Sequence, residues 1–470
     1  MRPTTTGCGR GDSKTCDPGC RTYTRVLFLL LSVLVLACGT GETPPAGELR
    51  HLILITVDTW RADHFLVSKA GVPLTPNLEQ LAARSVRFRA NSSVGAVTAP
   101  GIAGILTGLL PHRSGVVVND HLLPDSLPTL ATELRDHGFV TAAFVANPVI
   151  APGFGFNNGF AQYELVARRP PLRKATAAQV NRQAFNWLDA LARPPENLFL
   201  WMHYMEPHGP YEPPDEHARL FSVEDFDAPS DIPLLPPGRN GGLGGIPHYQ
   251  QIERRGRPAT SDGRDYLLRY AAAVRCVDHE IGLLLRSLEA RRFMEHALIV
   301  VTADHGEALA GDHGYFFSHD NNLTEDQVAV PLMISYPGCE AGKVVDLPSS
   351  ATDILPTVMH LLGLRAPDEF DGTALLDDTR TGYAVSDSGR ERAIRWRNWR
   401  LRLTAREALL FDLDTDLGEQ VDLSDRYPER FRQLKGQLQE MTRRPPLATS
   451  INRQHLDEEQ RRSLKALGYL

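Results

Sequence analysis

The chain has 470 residues, of which 42% are hydrophobic and 23% are charged. This composition excludes a globally disordered chain, and the length favours one large α/β domain with a smaller appendage over a single small domain. The formal net charge is −7, and residues 1–37 carry five basic and two acidic side chains, so the remainder carries −10. An extended basic surface for nucleic acid is therefore excluded.

The first 37 residues are typical of a signal peptide. Residues 26–37 form an apolar run with a single serine, preceded by two arginines, and the run is too short to span a membrane. Residues 35–39 read Val-Leu-Ala-Cys-Gly, which resembles the lipobox of bacterial lipoproteins. We therefore predict lipidation of Cys38, a flexible tether over 38–49, and an extracytoplasmic protein, periplasmic or on the cell surface, held to a membrane by lipid. The alternative is a secreted protein cleaved nearby.

The body of the chain alternates between strand and helix patterns, which predicts a mostly parallel sheet. The Pro- and Gly-rich stretch 213–264 is interpreted as a surface excursion, and whether it forms a lid is left open. Beyond 366, strands over 393–403 and 409–413 and a helix over 427–441 predict a small antiparallel unit. The other predicted elements, in chain order, are a strand over 51–57, a helix over 75–84, strands over 86–88 and 139–145 with a helix over 126–135 between them, a helix over 176–191 capped by Thr176, a strand over 198–203, a helix around 270–288, strands over 297–303 and 328–335, and a helix over 353–362.

Two of the predicted strands end in carboxylates. Asp58 follows the apolar run 51–57, and Asp304 and His305 follow the apolar run 297–303. Because ligands of open α/β sheets bind beyond the carboxyl ends of the strands, we expect these three side chains to face a common crevice. Two carboxylates and an imidazole suit a divalent metal ion.

A threonine supplies a candidate nucleophile. Pro100 suits the first position of a helix, which places Thr98 just outside its amino terminus. The helix macrodipole and free amides favour an anion there, either an ionised hydroxyl or a bound phosphate or sulfate.

Four stretches, in this order and spacing, resemble the sulfatase branch of the alkaline phosphatase superfamily. They are residues 55–64, 98–108, 203–208 and 301–307, and the ending over 464–470 is also similar to that of the family. The resemblance implies an α/β/α sandwich around a large mixed, mostly parallel sheet, with a smaller carboxyl-terminal antiparallel-sheet domain. It divides the chain into a catalytic domain over 50–365 and a small carboxyl-terminal subdomain over 366–470.

The same resemblance assigns roles to single residues. It places Thr98 at the nucleophile position and implies that His208 and His319 contact substrate. It implies one divalent ion, whose predicted ligands are Asp58, Thr98, Asp304 and His305.

The chain departs from the formylglycine-dependent members of the family. Those carry Cys or Ser where Thr98 stands, and usually Ser and then Arg or His where Gly101 and Ile102 stand. Threonine cannot become the formylglycine aldehyde, and it resembles instead the phosphodiesterase and phospho-group transferase relatives. Thr59 replaces the second Asp of the family's pair. The loss of a carboxylate beside His305 favours Zn²⁺ or Mn²⁺ over Ca²⁺, and ligands for a second ion are not assigned.

The sequence therefore predicts a metal-dependent hydrolase of sulfate or phosphate esters. Thr98 attacks phosphorus or sulfur, and a histidine such as His208 or His319 protonates the leaving group. The expected partner is a sulfated or phosphorylated small molecule, glycan or lipid headgroup. The alternatives are a phosphodiesterase or phospho-group transferase of the same superfamily, and a catalytically inactive surface protein that binds an anionic ligand.

Overall fold

The computed structural model describes residues 49–469, except for 167–173, 240, 252–258, 321, 378, 450, 456–457, 459–460, 462–463 and 466–467. The predicted signal peptide and lipidation site, and the tether up to residue 48, lie outside the described residues. Within the described part of the chain, no helix has the length and apolar character needed to cross a membrane.

The fold is built on a mixed sheet of eight strands. In chain order these are β1 His51–Val57, β2 Val86–Phe88, β3 Val140–Val145, β4 Gln162–Leu165, β5 Leu198–Tyr204, β6 Ala297–Ala303, β7 Leu332–Ser335 and β8 Val344–Val345. Across the sheet the order is β8-β2-β7-β6-β1-β5-β3-β4, and only β7 runs antiparallel to its neighbours. Every residue of β1, β5 and β6 is buried, which explains why these strands are apolar runs rather than alternating patterns.

The register of the three central strands brings their carboxyl ends level with one another. Val57 of β1 pairs with Tyr204 of β5 on one side and with Ala303 of β6 on the other. The residues that follow, Asp58 and Asp304, therefore emerge at the same edge of the sheet. This edge is where the sequence predicts the site.

Two groups of helices cover the sheet. The longer helices are α1 Pro76–Ala82, α2 Thr98–Thr107, α3 Leu130–Asp136, α4 Ala177–Ala190, α5 Gly263–Ala290, α6 Ile354–Leu361 and α7 Pro428–Met441. Helices α1 and α4 pack on α5, whereas α3 and α6 pack on α2. Together with the sheet these groups form the α/β/α sandwich, and the predicted fold class is confirmed.

A separate antiparallel sheet lies in the carboxyl-terminal part of the chain. Its strands are β9 Tyr383–Asp387, β10 Glu391–Trp396, β11 Trp399–Thr404 and β12 Ala408–Asp412, in that order, and α7 packs against it. A buried charge cluster ties this sheet to the catalytic part. The Arg400 guanidinium lies 3.1 Å from a carboxylate oxygen of Glu325 and 3.1 Å from one of Glu419.

Several element boundaries differ from the prediction. The predicted strand 393–403 is a hairpin, β10 and β11, which turns at Arg397, a residue with a positive φ of 54°. Strand β9 was not predicted. The predicted helix 126–135 begins only at Leu130, because Thr129 forms a capping box with Thr132. Strand β7 begins at Leu332 rather than 328, since residues 325–328 form a helical turn.

Candidate active site

Three side chains converge at the carboxyl edge of the central strands. Asp58 and Asp304 follow β1 and β6, and His203 is the last residue but one of β5. One side-chain N or O atom from each lies within 4.8 Å of the other two, and all three residues are fully buried. Buried carboxylates and an imidazole at this spacing are a donor set for a divalent cation.

The electrostatics of this cluster fit a missing positive charge. Asp58 Oδ1, Asp304 Oδ2 and His203 Nε2 are buried with no hydrogen-bond partner among the described residues. Burial and the neighbouring Asp58 raise the pKa of Asp304. Burial alone would raise the pKa of Asp58 too, but His208 and other nearby imidazoles hold it well below its usual range. A bound cation satisfies the unpartnered oxygens and relieves the repulsion between the carboxylates.

His305 places its Nε2 atom at the centre of the site. Its Nδ1 contacts the carbonyl oxygen of Gly306 at 2.8 Å, which assigns the ring proton to Nδ1 and leaves the lone pair of Nε2 free. Nε2 lies 3.7 Å from Asp58 Oδ1, 3.7 Å from Asp304 Oδ2 and 3.4 Å from Thr98 Oγ1. We refer to the four residues that surround this point as the donor set: Asp58, His203, Asp304 and His305.

The hydroxyl of Thr98 faces the donor set from the start of α2. The helix begins at Thr98 itself, with Val97 as the cap, two residues before the predicted first position at Pro100, so the prediction that Thr98 stands just outside the helix was wrong. Pro100 is tolerated at the third position because an amide there has no partner within the helix. Thr98 Oγ1, Asp58 Oδ1 and Asp304 Oδ2 each lie within 3.7 Å of His305 Nε2, while the roles assigned to these four residues stay predictions.

Asn147 links Thr98 to the donor set. Its Nδ2 atom lies 2.5 Å from Asp58 Oδ2 and 3.2 Å from Thr98 Oγ1. The same atom lies 2.6 Å from the phenol oxygen of Tyr469. Asn147 follows β3 after a single residue, so a fourth strand of the sheet contributes to the site.

His319 and His208 line the site next to the donor set. The ring centroid of His319 lies 4.6 Å from that of His305 and 5.0 Å from that of His208. His319 Nδ1 lies 3.1 Å from Glu307 Oε1. Burial alone would lower the pKa of His319, but the Glu307 carboxylate outweighs it and the pKa is raised.

His208 differs from His319 in the direction of its pKa shift and in having one ring nitrogen without a partner among the described residues. Its Nδ1 donates to the carbonyl oxygen of Gly209 at 2.7 Å, and its Nε2 is buried without a partner among the described residues. Burial lowers the pKa of His208 to about 3. The ring is therefore neutral and presents a lone pair, so of the two predicted substrate-contacting histidines only His319 is arranged as a proton donor.

Helix α2 approaches the end of β6 closely. A Cβ atom placed on Gly101 would lie 2.3 Å from the carbonyl oxygen of Asp304, which is far inside van der Waals contact. The same carbonyl accepts a hydrogen bond from the Ser93 hydroxyl. Gly101 is therefore required for this approach, and Ile102 is a core residue that is fully buried away from water.

Part of the excursion 213–264 packs beside the two histidines. Gln250 is fully buried, and its Nε2 donates to the carbonyl oxygen of Phe317 at 3.0 Å. The Tyr249 ring lies 6.4 Å from the His208 ring. The excursion thus contacts the loops that carry His208 and His319.

Sequence reasoning missed four residues of this site. His203 lies in a stretch that carries the family resemblance, but its place inside an apolar strand hides its role. Glu307 follows Asp304-His305-Gly306 and had no assigned function. Asn147 and Tyr469 act through contacts between distant parts of the chain. Tyr469 lies in the ending 464–470 that resembles the family but had no assigned function, and no local pattern marks Asn147.

A buried carboxylate and imidazole cluster at the strand ends, beside a hydroxyl at a helix amino terminus, is an arrangement that metal-dependent ester hydrolases use. Residues 50–364 match the profile of the family described as Sulfatase. This chain belongs to the sulfatase family, which confirms the family and the enzyme class predicted from the sequence.

Individual relatives agree with this assignment. The chain is 26% identical over 387 residues to an ulvan-active sulfatase of Formosa agariphila, which covers 75% of this chain and 70% of that protein. Its fold is similar to that of a protein solved in complex with its substrate D-glucosamine-2-N,6-O-disulfate, with a TM-score of 0.69, 20% identity, and coverage of 86% of this chain and 100% of that one. A phosphonate monoester hydrolase of Agrobacterium radiobacter gives a TM-score of 0.67 at 19% identity, covering 84% of this chain and 95% of that one.

Proposed function

We propose that this protein hydrolyses sulfate or phosphate esters with Thr98 as the nucleophile and without formylglycine. The observation that carries the proposal is the position of Thr98 Oγ1, 3.4 Å from His305 Nε2 and beside the donor set, at the first residue of α2. A hydroxyl placed there meets the requirements for an activated nucleophile, since a cation site and a helix amino terminus both favour its ionised form.

The residues divide the chemistry between them. Thr98 gives up its proton to water and attacks phosphorus or sulfur, and the bond to the leaving oxygen breaks. His319, whose Nδ1 is paired with Glu307, donates the proton that the leaving oxygen takes up. Water then attacks the threonyl ester, the Thr98 oxygen recovers a proton, and the inorganic anion is released. The free lone pair of His208 accepts a hydrogen bond from the substrate or from this water.

The donor set is proposed to hold one divalent ion. Such an ion would lower the pKa of the Thr98 hydroxyl and offset negative charge on the transferred group. The addition of His203 to the predicted ligands makes two imidazoles and two carboxylates, which strengthens the preference for Zn²⁺ or Mn²⁺ over Ca²⁺.

A cavity next to the site is a place for the leaving group. It has a volume of about 560 Å³ and is lined by residues 95–97, which precede Thr98, and by Asp320, which follows His319. Arg390 and Arg406 from the carboxyl-terminal sheet region and several carboxylates complete it. Cations and carboxylates side by side match the many hydroxyls of a sugar, which favours a glycan ester over a lipid headgroup.

The test is hydrolysis of matched sulfate monoesters, phosphate monoesters and phosphodiesters by the full chain loaded with Zn²⁺, Mn²⁺ or Ca²⁺. Thr98→Ala is expected to lose turnover by about a thousandfold or more, and Thr98→Ser to keep a measurable part of it. Acid-quenched wild-type protein is expected to carry the added mass of a sulfate or phosphate on the peptide that contains Thr98. Unchanged turnover in Thr98→Ala contradicts the proposal.

The replacement of the family's usual cation by Ile102 supports a second candidate, an inactive surface protein that binds an anionic ligand. The complete donor set and the position of the Thr98 hydroxyl, 3.4 Å from His305 Nε2, argue against it. Tight metal binding by a protein that hydrolyses none of the three ester classes favours this candidate. Transfer of the group to an added alcohol instead of water favours the phospho-group transferase.

We also propose that the protein is tethered outside the cytoplasm through a lipid on Cys38. The support is the sequence pattern over 26–39, an apolar run that ends in a lipobox-like cysteine. Full-length protein expressed in a bacterium is expected to fractionate with membranes, and Cys38→Ser to be released from them. A wild-type protein found only in the secreted fraction supports the alternative.

A further inference from the structure

Tyr469 reaches the active site from a segment that is 322 residues away from Asn147 in the sequence. Its phenol oxygen lies 2.6 Å from Asn147 Nδ2, and its ring centroid lies 4.9 Å from that of His208. The residue is 7% exposed. A phenylalanine would anchor the segment equally well, so the position of the hydroxyl among polar groups requires a separate explanation.

The hydrogen bonds of Asn147 fix the orientation of its amide. Its Oδ1 accepts the backbone N–H of Val149 at 3.0 Å, so Nδ2 faces the site. Nδ2 carries two protons, and the nearest oxygens are Asp58 Oδ2 at 2.5 Å and the Tyr469 phenol at 2.6 Å. Both protons are therefore used, and the phenol oxygen acts as an acceptor because an amide nitrogen has no lone pair to offer.

The proton of the Tyr469 hydroxyl then has no strong acceptor. Among the described residues, the Tyr469 hydroxyl donates to Met205 Sδ at 3.6 Å. A thioether sulfur is a weak acceptor. Burial raises the pKa of Tyr469 well above its usual range, so the phenol keeps this proton. A buried donor without a strong acceptor, next to Asn147 and thus next to Thr98, is arranged for a ligand oxygen.

We propose that Tyr469 is a substrate-binding residue of the active site, accepting a hydrogen bond from Asn147 and donating its phenol proton to an oxygen of the sulfate or phosphate group that Thr98 attacks. This inference rests on the proposed function. It adds to the site a residue that does not come from the end of a strand in the large sheet. Asn147 and Tyr469 thereby form a chain of hydrogen bonds from Asp58 to the bound anion.

The backbone around Tyr469 is built to hold it in place. Its N–H donates to the carbonyl oxygen of Leu464 at 2.9 Å, and Leu464 is buried. Gly468 has a φ of +87°, and a Cβ atom there would lie 2.9 Å from the Tyr249 ring. A side chain at 468 is therefore excluded both by conformation and by contact, so substitution of this glycine displaces the tyrosine.

The test compares Tyr469→Phe with wild type in two measurements. The first is kcat/KM for the best ester; the second is the affinity of the metal-loaded protein for inorganic phosphate and sulfate, measured by calorimetry. Loss of a hydrogen bond to a charged oxygen is expected to lower both by roughly 10- to 100-fold. Tyr249→Phe is the matched control, because its hydroxyl donates to the carbonyl oxygen of Phe317 and not to Asn147.

A second pair of variants tests the position of the segment. Gly468→Ala is expected to reproduce the losses of Tyr469→Phe with the hydroxyl still present. Gly436→Ala, on α7, is expected to change neither measurement, since a Cβ there meets nothing within 4 Å.

The outcomes separate this inference from the proposed function. If Tyr469→Phe has the same turnover and anion affinity as the wild type, the role of Tyr469 is overturned and the Thr98 chemistry is left intact. A wild-type protein that hydrolyses no ester overturns the proposed function, and anion affinity then decides about Tyr469. Wild-type protein that hydrolyses no ester and binds neither anion overturns both.

Discussion

His203 Nε2 lies 3.6 Å from Asp58 Oδ2, across the register of two adjacent parallel strands, and both side chains are fully buried. His203 Nδ1 lies 2.8 Å from the Thr56 hydroxyl, and that hydroxyl accepts a hydrogen bond from Trp201 Nε1 at 2.9 Å. A hydroxyl can accept two hydrogen bonds, so Thr56 can accept the ring proton of Nδ1 as well as the indole proton of Trp201. With the ring proton on Nδ1, Nε2 presents its lone pair towards Asp58, as a metal ligand requires.

The first prediction concerns this imidazole as a ligand. His203→Ala is expected to weaken binding of Zn²⁺ or Mn²⁺ by about tenfold or more, because one of the donor atoms is lost. The measurement is competitive titration with a chelating indicator, which requires no enzymatic activity. His296→Gln, an exposed histidine, serves as the control. Equal affinity in His203→Ala and wild type would remove His203 from the donor set.

The second prediction tests His319 as the proton donor. His319→Gln is expected to slow esters of alkyl alcohols by roughly 10²- to 10⁴-fold, and to slow activated aryl esters far less, since their leaving groups need no proton. Glu307→Gln is expected to show the same selectivity to a smaller extent, because it removes the charge paired with Nδ1. The measurement is the dependence of kcat/KM on the pKa of the leaving group. A uniform loss across all leaving groups would assign His319 a binding role instead.

The third prediction concerns the charge cluster beneath the carboxyl-terminal sheet. Arg400 is 1% exposed, and Glu325 and Glu419 are also buried. Arg400→Leu removes the buried guanidinium shared by the two carboxylates, which keep only Arg395 and Arg402 as partners among the described residues, so the free energy of unfolding is expected to fall by about 3 kcal/mol. Denaturant unfolding measures this value. Arg432→Leu, at an exposed position of α7, is expected to leave it unchanged, and an equal effect of both substitutions would contradict the argument.

The fourth prediction is a pH dependence of stability. Burial, together with His296 and Arg50, lowers the pKa of His51 to about 4. Below about pH 6.5 the unfolded chain therefore binds a proton at His51 that the folded protein does not bind. The contribution of neutral His51 to the free energy of unfolding is lost as the pH falls from 6.5 to 4. His51→Phe keeps a ring against Phe293 and is expected to reduce the slope of the unfolding free energy in this window. An unchanged slope would show that other groups control it.

The sequence predicts the central strands and two of their carboxylates well, for a physical reason. Strands β1 and β6 are buried on both faces, so their apolar runs end where the chain leaves the core, and Asp58 and Asp304 mark those ends. Helix α3 begins later than predicted, because the capping box of Thr129 and Thr132 fixes its first turn. This cap joins residues only three positions apart, and the apolar pattern of the sequence does not show it.

The rest of the site depends on packing that no local pattern records. His203 lies within a strand, where a single polar residue is usually interpreted as a core residue whose hydrogen bonds are made inside the protein. Only the register of β5 against β1 places it beside Asp58. Pro100 does not mark the start of α2, since the helix already begins at Thr98 and a proline is tolerated at the third position. The link between Asn147 and Tyr469 requires the whole fold to be in place.

The missing side chain at Gly101 limits the substitutions that this site accepts. A laboratory conversion to a formylglycine enzyme would begin with Thr98→Cys, but the serine that usually accompanies that cysteine would collide with the Asp304 carbonyl oxygen. Relief of the collision would move either α2 or the end of β6, and each of them carries part of the constellation. The two chemistries are therefore separated by a coordinated backbone shift rather than by a short series of independent substitutions.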